Sequence, residues 1–568
     1  MLEKYLTKID FDSYEDFKEN YKINVPENFN FGFDVVDAWA DEDTSKIALD
    51  WRNDKGEAHV FTFDDIKKKS NKIANYLKTQ GLKKNDVVML ILKRRYEYWM
   101  IATALHKLGI VLVPASFQLT PKDIAYRCRA ASVNMIICVN EDQIIANVEE
   151  GLASLKDKDE TAFKIKSKAL VDSERISANK KSSGWLDFNE CVEGYSEVLE
   201  RPMGQEATTI KDRFLLYFTS GTSGMPKMAL HDYAYPLGHV VTAKYWHQVE
   251  DGRKHLTISD SGWAKFGWGK IYGQWICGAI QFVYDHEKFI PEQMLEMIEE
   301  GKLTTFCAPP TMYRFFIKED LTKYDLSTLK HCSIAGEPLN PEVYNQFLKA
   351  TGHKLYEGFG QSESSVLIAN FQWFEPRPGS MGKPAPLYDI AILNEVGDRL
   401  PAGEEGEVVI MNIDKEWPVG LFREYYLDPE ANEKAFRDGN YHTGDVAWYD
   451  SDGYFWFVGR LDDVIKCSGY RIGPFEVESA LMEHPSVLEC AITAVPDTVR
   501  GQVVKATIVL AKGYSPSDEL KKELQEHVKK VTAPYKYPRI VEFIDEFPKT
   551  VSGKIMRRAI RDKDSSSK

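Results

Sequence analysis

Hydroxyl, glycine and lysine side chains are concentrated in one eleven-residue stretch, from Tyr217 to Lys227. Gly221 and Gly224 let the backbone bring N–H groups close to an anion, because glycine tolerates positive φ. Lys227 supplies a mobile positive charge at the end of the loop. Further donors are the hydroxyls of Thr219, Ser220, Thr222 and Ser223. The sequence therefore predicts a loop that holds a polyphosphate.

This loop differs from the P-loop of many nucleotide-hydrolysing proteins. The P-loop pattern requires lysine directly after its second glycine, whereas Met225 and Pro226 intervene here. A P-loop NTPase is therefore disfavoured. For the fragment 220–225 taken alone, an ordinary serine- and glycine-rich surface loop remains an equal alternative.

Alternating strands and helices are predicted around the loop. Residues 214–218 form a short buried strand that leads into it. A helix is predicted from Asp64 to Gly81 and another near 96–107. Further strands are expected at 87–92, 110–113, 135–139 and 256–259. Residues 155–184 are expected to form a solvated connection. This alternation favours an α/β fold with mainly parallel sheets flanked by helices.

Three more predicted strand ends precede polar loops, near residues 304–309, 333–338 and 355–364. In parallel α/β sheets, ligands collect at the carboxyl ends of strands. These loops and the phosphate loop are therefore expected to frame one cleft.

The pattern changes after residue 461. A strand is expected at 454–458 before the change. The following residues predict two helices, near 475–483 and 517–530, and three strands, at 487–495, 503–510 and 539–544. We expect a large N-terminal domain, 1–461, with a β-rich subdomain, and a small mobile α+β C-terminal domain, 462–568.

Bulk properties exclude several classes. The chain has 568 residues and a formal net charge of −14, which disfavours nucleic acid and anionic membrane as partners. Eight scattered cysteines lack metal-ligand spacing and are typical of reduced thiols. An acidic N-terminus and the lack of a long apolar run predict no transit peptide, signal or membrane span, and so a cytoplasmic location.

Six separated stretches, in order, resemble the adenylate-forming (AMP-binding) superfamily, and the C-terminal third resembles its medium-chain acyl-CoA synthetase branch. They are the phosphate loop, Gly336-Glu337-Pro338, Gly358 to Ser364, Tyr441 to Asp445, Gly459 to Gly473 and Pro548 to Lys554. Phe359 replaces the tyrosine of the family pattern and keeps its aromatic face. Ser362 replaces the threonine and keeps its hydroxyl.

The resemblance implies binding sites for ATP and Mg²⁺. Glu363 would be the Mg²⁺ ligand, and Lys554, Lys227, Glu363 and Ser362 the catalytic residues. Asp445 would accept both ribose hydroxyls. The implied ATP-binding residues are Thr219, Ser220, Gly221, Thr222, Ser223, Gly224, Lys227, Gly336, Glu337, Pro338, Gly358, Phe359, Gly360, Gln361, Ser362, Asp445, Arg460, Arg471 and Lys554.

The resemblance also implies a hinge at Asp462 and a coenzyme A site. The coenzyme A residues would be Gln118, Ser468, Gly469, Tyr470, Arg500, Thr532, Tyr537, Pro538 and Arg539. The aromatic stretch 260–269 is either core packing or the wall of an acyl pocket. For that pocket we single out Trp263, Lys265, Phe266 and Gly360, with Trp268 beside them. Glycine at 360, where acetate-specific relatives have tryptophan, favours an acid longer than acetate.

The implied activity is an AMP-forming acyl-CoA synthetase that uses a carboxylic acid, ATP and coenzyme A, the acid being medium-chain or branched. Two related alternatives are an aryl-CoA ligase and an adenylation enzyme that loads a carrier protein. A third is a nucleotide-binding regulatory protein without catalysis.

Overall fold

Three β-sheets and the helices packed on them make up the fold. The structure, a computed structural model, describes residues 1–156, 165–172, 177, 180–181, 183–219, 225–337, 339–467, 470–497, 499–549 and 554–566. No helix in these ranges is long and apolar enough to cross a membrane.

The largest sheet contains fourteen described strands. Its parallel part runs from Ile47–Asn53 to Leu355–Phe359, and antiparallel strands continue it toward the C-terminal domain. In spatial order the strands are Ile390–Leu393, Gly406–Ile410, Asn440–Tyr449, Phe455–Arg460, Ser380–Pro384, Ile368–Ala369, Leu355–Phe359, His331–Ile334, Thr305–Ala308, Lys254–Thr257, Ile280–Asp285, Ile47–Asn53 and Ala58–Thr62, with Phe436–Arg437 beside Asn440–Tyr449. The antiparallel part is the predicted β-rich subdomain.

The second sheet contains the strand that leads into the phosphate loop. In spatial order its strands are Glu424–Tyr425, Lys227–Asp232, Arg213–Thr219, Val111–Pro114, Val87–Ile91, Met135–Val139, Ser167–Val171 and Trp185–Asp187. The strand Ser167–Val171 corrects the prediction that 155–184 is only a solvated connection. It pairs in parallel with Met135–Val139 and has just three buried residues, so its apolar signal in the sequence is weak.

The third sheet forms the small C-terminal domain. Its strands are Tyr470–Ile472, Ile465–Cys467, Gly501–Leu510 and Val487–Asp497 in spatial order, with Ile540–Phe543 parallel to Gly501–Leu510. Helices Pro474–Met482 and Asp518–Val531 cover one core of this sheet, and Ile560 belongs to a second one. The prediction of a large α/β domain followed by a smaller α+β domain is confirmed.

The helices begin where the sequence has caps or proline. Phe63–Thr79 has a capping box between Thr62 and Asp65, and Pro121–Ala130 has one between Thr120 and Asp123. Other α-helices are Tyr14–Asn20, Ala38–Glu42, Glu97–Leu108, Asp142–Lys156, Phe188–Val192, Tyr235–Val240, Ala264–Gly269, Tyr272–Ile276, Pro291–Gly301, Pro310–Phe316, Pro341–Thr351, Pro429–Ala435 and Arg557–Ser566. Gly32–Asp37 and Val241–Trp246 are π-helical, and Leu2–Lys4, Gly204–Glu206, Leu321–Lys323 and Pro534–Lys536 are 3₁₀ turns.

Candidate active site

The phosphate loop connects two antiparallel strands. Thr219 lies opposite Lys227 at the base of this hairpin, and Tyr126 Oη donates to the Pro226 carbonyl at 2.8 Å. Lys227 therefore starts a strand, which fixes its backbone at the mouth of the loop. Five predicted ATP residues, Ser220, Gly221, Thr222, Ser223 and Gly224, lie outside the described residues.

Glu363 is buried in the turn that follows the strand Leu355–Phe359, and its carboxylate Oε1 accepts a hydrogen bond of 2.8 Å from Tyr425 Oη. Burial raises the pKa of Glu363, and the Tyr425 bond opposes that rise. The ammonium of Lys227 lies 4.6 Å from the centre of the same Tyr425 ring. One aromatic side chain thus contacts two of the predicted catalytic residues.

Tyr425 was not identified from the sequence. The short strand Glu424–Tyr425 pairs with Lys227–Asp232, with Tyr425 opposite Ala229. Its proximity to Lys227 depends on pairing between segments about two hundred positions apart, and the local sequence Arg423 to Tyr426 contains no signal for that pairing.

A second hydrogen-bonded group surrounds Asp445, which is buried. Arg460 Nη1 donates to Asp445 Oδ1 at 3.0 Å, and Gln361 Nε2 donates to Asp445 Oδ2 at 2.5 Å. Tyr441 Oη in turn donates to Gln361 Oε1 at 2.7 Å. Asp445 and Arg460 are register partners on adjacent antiparallel strands, so the sheet itself sets their separation.

The positive charge of Lys554 acts on residues of the same region. Burial raises the pKa of Asp445, and the charges of Arg460 and Lys554 are among the groups that oppose the rise. Burial lowers the pKa of Lys265, and the charge of Lys554 lowers it further. The ammonium of Lys554 is therefore close enough to influence one residue of the Asp445 group and one of the predicted acyl pocket.

The predicted adenine edge lies next to this region. Gly336 has φ of +108° and open space where a side chain would project, which favours glycine. Thr311 Oγ1 donates to Glu337 Oε2 at 3.1 Å. Phe359 is partly exposed, and its ring centre lies 6.1 Å from that of Phe457. Ser362 is also partly exposed, and Pro338 lies outside the described residues.

The predicted acyl-pocket residues separate into two environments. Lys265 Nζ donates to the Ala335 carbonyl at 2.9 Å, and Trp263 is partly exposed, so both lie near the adenine edge or the surface. Phe266 packs into the core, with ring centres 4.6 Å from Tyr98 and 5.0 Å from Trp99.

Gly360 is enclosed by a neighbouring ring. A methyl group at this position would approach Trp268 within 2.3 Å and the Ser365 carbonyl within 2.9 Å. Gly358 is likewise covered by Trp246. Trp268 therefore occupies the space beside Gly360, where the sequence led us to expect room for an acyl chain.

The predicted coenzyme A residues lie on several segments. Tyr470 is 53% exposed and stacks on Tyr535 with ring centres 4.3 Å apart, and Arg539 Nη1 donates to Tyr537 Oη at 2.8 Å. Thr532 Oγ1 donates to the Val528 carbonyl at 2.8 Å and Pro538 is buried.

The other predicted coenzyme A residues are Gln118, Arg500, Ser468 and Gly469. Gln118 is exposed on the large domain, and the Arg500 backbone N–H donates to Asp497 Oδ1 at 2.8 Å. Ser468, Gly469 and the side chain of Arg471 lie outside the described part. The grouping of these residues around coenzyme A stays a prediction.

Comparison with known proteins decides the family. The model of the AMP-binding enzyme family matches residues 36–426, and that of the AMP-binding enzyme C-terminal domain matches 476–554. The chain belongs to the AMP-binding enzyme family. The resemblance seen in the sequence is thus confirmed.

Relatives of this AMP-binding enzyme are similar over nearly its whole length. Human mitochondrial acyl-coenzyme A synthetase ACSM3 is 40% identical over 98% of this chain and 93% of its own, and rat mitochondrial ACSM4 is 42% identical over 95% and 91%. The structure of the anthranilate CoA ligase AuaEII in complex with anthranoyl-AMP superposes with a TM-score of 0.84 at 26% identity, covering 96% of this chain and 99% of that one.

Proposed function

We propose that this AMP-binding enzyme is an AMP-forming acyl-CoA synthetase that activates a medium-chain or branched carboxylic acid. The proposal rests on charged residues that lie in one region of the fold. Tyr425 contacts both Lys227 and Glu363, and Asp445 pairs with Arg460. The charge of Lys554, from the C-terminal segment, acts on Asp445. Together they supply contacts for phosphates, ribose and a carboxylate.

In the first step, a carboxylate oxygen of the acid attacks the α-phosphorus of ATP. The new O–P bond gives the acyl-adenylate, and the bond to the β-phosphate oxygen breaks to release pyrophosphate. Both reactants are anions, so fixed positive charge and positioning provide most of the catalysis. Lys227 would contact the departing pyrophosphate, and Lys554 would neutralise the carboxylate side.

Glu363 suits Mg²⁺ as a single protein ligand. Its carboxylate is buried, and one oxygen accepts the Tyr425 bond. Mg²⁺ is commonly held by one or two carboxylates together with substrate phosphates. Among the described residues there is no cluster of three or more metal-ligating side chains, so phosphate oxygens would complete the coordination. The ion would neutralise phosphate charge when bound.

In the second step, the thiol sulfur of coenzyme A attacks the acyl carbon. A C–S bond forms, the bond between the acyl carbon and the AMP oxygen breaks, and the thiol proton leaves with the products. We propose that the small domain turns about Asp462 between the steps, which withdraws Lys554 and presents Tyr470 and its neighbours. Solvent-exposed Tyr470 and the basic Arg539 support this placement of coenzyme A.

The acid is best identified by acid-dependent exchange of labelled pyrophosphate into ATP. We propose a panel of straight acids from acetate to decanoate with branched and aryl acids beside them. We expect the highest kcat/KM for a medium-chain or branched acid, as the resemblance to the medium-chain acyl-CoA synthetase branch implies. A preference for acetate would contradict the pocket assignment, and a preference for benzoate-type acids would favour the aryl-CoA ligase. Activity with a carrier protein but not with coenzyme A would favour the carrier-loading enzyme.

Lys554→Ala tests the assignment of the first step. We expect pyrophosphate exchange to fall by at least about 10²-fold, the loss typical of a preorganised electrostatic group. Thioester formation from supplied acyl-adenylate should be retained, because Lys554 is not needed there. Lys512→Ala, at an exposed lysine of the same domain, is the control. Equal losses in both half-reactions would refute the role given to Lys554.

The cytoplasmic location inferred from the sequence also remains a proposal. The named relatives are mitochondrial proteins. Fractionation of the source cells, with acyl-CoA synthetase activity as the marker, distinguishes the two compartments.

A further inference from the structure

The last helix, Arg557–Ser566, begins three residues after Lys554 and is attached to the small domain by ion pairs. Arg557 Nη2 donates to both oxygens of Glu478, at 2.7 and 2.8 Å. Glu478 Oε1 also accepts the Ile492 backbone N–H at 2.9 Å. A bidentate arginine–carboxylate pair fixes orientation as well as distance, so the start of this helix is held on the helix Pro474–Met482.

A second pair attaches the same helix to the segment after the proposed hinge. Arg561 Nη1 donates to Asp463 Oδ1, and only 12% of the Asp463 side chain is exposed. Asp463 directly follows Asp462, and its backbone N–H donates to the Arg460 carbonyl at 3.0 Å. The C-terminal helix is therefore connected through one side chain to the residue next to the hinge.

Apolar contacts hold the segment that contains Lys554. Ile555 forms an isolated antiparallel bridge with Lys549, and Met556 N donates to the Pro548 carbonyl at 2.8 Å. Ile560 is buried in a small core with Phe547. Lys554 directly precedes Ile555, so it lies beside this bridge, and the helix begins three residues after it.

Contacts continue from Asp463 to the site itself. Arg460, whose carbonyl accepts the Asp463 N–H, holds Asp445 through its guanidinium, and Leu461 N donates to the Gly444 carbonyl at 2.8 Å. A continuous set of bonds therefore joins the predicted ribose ligand Asp445, through the hinge segment and Arg561, to the helix after Lys554.

We propose that Arg557 and Arg561 are positioning residues that set the placement of Lys554 for adenylate formation. The inference rests on the proposed function, because Lys554 acts only in the first step. Both pairs join residues on the C-terminal side of Asp462, so they stay intact when the small domain turns. Loss of either pair therefore changes where Lys554 points without altering the coenzyme A surface.

Arg561→Ala is the sharpest test, because it leaves the Arg557–Glu478 pair, and with it the start of the helix, in place. We expect kcat for pyrophosphate exchange to fall by about 10²-fold, which is the cost of a displacement of about 1 Å at a reacting group. Thioester formation from supplied acyl-adenylate should match the wild type. Arg561→Lys should recover part of the exchange rate, because an ammonium restores the charge but not the planar geometry.

Arg558→Ala is the matched control, since Arg558 pairs with Asp562 of its own helix at 3.7 Å. Its exchange rate should match the wild type. Asp463→Asn should reproduce the Arg561→Ala defect, and in the double variant the two losses should not add, because both remove one contact. Thermal unfolding and hydrogen exchange of residues 540–549 report whether the small domain remains folded.

Three outcomes would overturn the inference. The first is an exchange rate of Arg561→Ala equal to that of Arg558→Ala, and the second is a proportional loss of both half-reactions in Arg561→Ala. The third is that the losses of exchange rate in Arg561→Ala and Asp463→Asn add fully in the double variant. A wild-type enzyme without acid-dependent exchange would instead refute the proposed function. If Arg561→Ala unfolds the domain, the two half-reactions are measured in Arg561→Lys and Asp463→Asn instead, where the same selective loss of pyrophosphate exchange is expected.

Discussion

At the scale of single residues, Tyr425 connects two of the predicted catalytic residues. Tyr425 contacts Lys227 with its ring and Glu363 with its hydroxyl. A cation over an aromatic face contributes about 0.5–2 kcal/mol. A hydrogen bond to a charged acceptor contributes about 1.5–3 kcal/mol. These two energies can be separated by substitution.

Tyr425→Phe keeps the ring and removes the hydroxyl. We expect kcat for adenylate formation to fall by roughly tenfold, since about 1.4 kcal/mol corresponds to a factor of ten. Tyr425→Leu also removes the ring beneath Lys227, and it should raise KM for ATP in addition. Pyrophosphate-exchange kinetics with varied ATP measure both quantities.

Tyr426→Phe serves as the neighbouring control, because its hydroxyl accepts from Arg213 at 2.7 Å rather than from a site residue. The same KM for ATP in Tyr425→Phe and Tyr425→Leu would argue against any contribution of the ring to Lys227.

The sequence predicted Glu363, Asp445 and Lys554 as site residues because each lies inside a recognisable motif. The structure brings Asp445 into contact with Arg460 and Gln361. Tyr425 could not be found this way, because its role depends on a strand pairing across about two hundred positions. Trp268 was recognised as aromatic and pocket-like, but its position over Gly360 follows from a tertiary contact.

At the scale of elements, the segment after Arg460 connects two different sheets. The strand Phe455–Arg460 belongs to the largest sheet, and Ile465–Cys467 belongs to the sheet of the small domain. Four residues separate them, so a change of domain orientation would be concentrated in a few dihedral angles. Asp462 lies in the middle of this connection.

Asp462→Pro tests the hinge directly, because proline fixes φ near −65° and removes the backbone N–H. We expect one domain orientation to be favoured, so that one half-reaction falls much more than the other. Asp462→Ala keeps φ variable and should retain both half-reactions. Pyrophosphate exchange and thioester formation from supplied adenylate are the two measurements, and a proportional decline in Asp462→Pro would exclude a hinge at this residue.

Most of the elements predicted from the sequence lie within about two residues of their predicted bounds, because caps and apolar runs mark them. The helix predicted at 64–81 is observed at Phe63–Thr79, and the strand predicted at 135–139 is observed there. The strand Ser167–Val171 was missed, since its first two residues are polar and only three are buried. The aromatic stretch 260–269 proved to be partly helical, from Ala264 to Gly269.

At the scale of the whole molecule, the large parallel sheet contains a row of buried polar residues. Gln281, His255, Thr305 and His331 are register partners on four adjacent strands. His255 is held by two threonine hydroxyls at 2.8 Å, those of Thr305 and Thr257. No motif predicts this row, because it arises only when the strands are placed side by side.

The row makes the stability of the large domain depend on pH. Burial lowers the pKa of His255 and that of His331 to about 3, from a usual value of 6.5. Between pH 6.5 and 3 the unfolded chain therefore binds more protons than the folded one, and stability falls as pH falls. Each histidine should remove about 2 kcal/mol between pH 7 and pH 5, which is an average slope of about 1 kcal/mol per pH unit.

Urea unfolding at pH 7, 6 and 5, followed by fluorescence of the buried tryptophans, measures this slope. His255→Gln should lower the average slope between pH 7 and pH 5 by about 1 kcal/mol per pH unit, and His255→Gln with His331→Gln by about twice that, because each removes one titrating group. The slope is informative even if a variant is less stable at pH 7, since it depends on proton uptake and not on packing. An unchanged slope in the double variant would mean that these histidines remain neutral in the unfolded chain or protonated in the folded one.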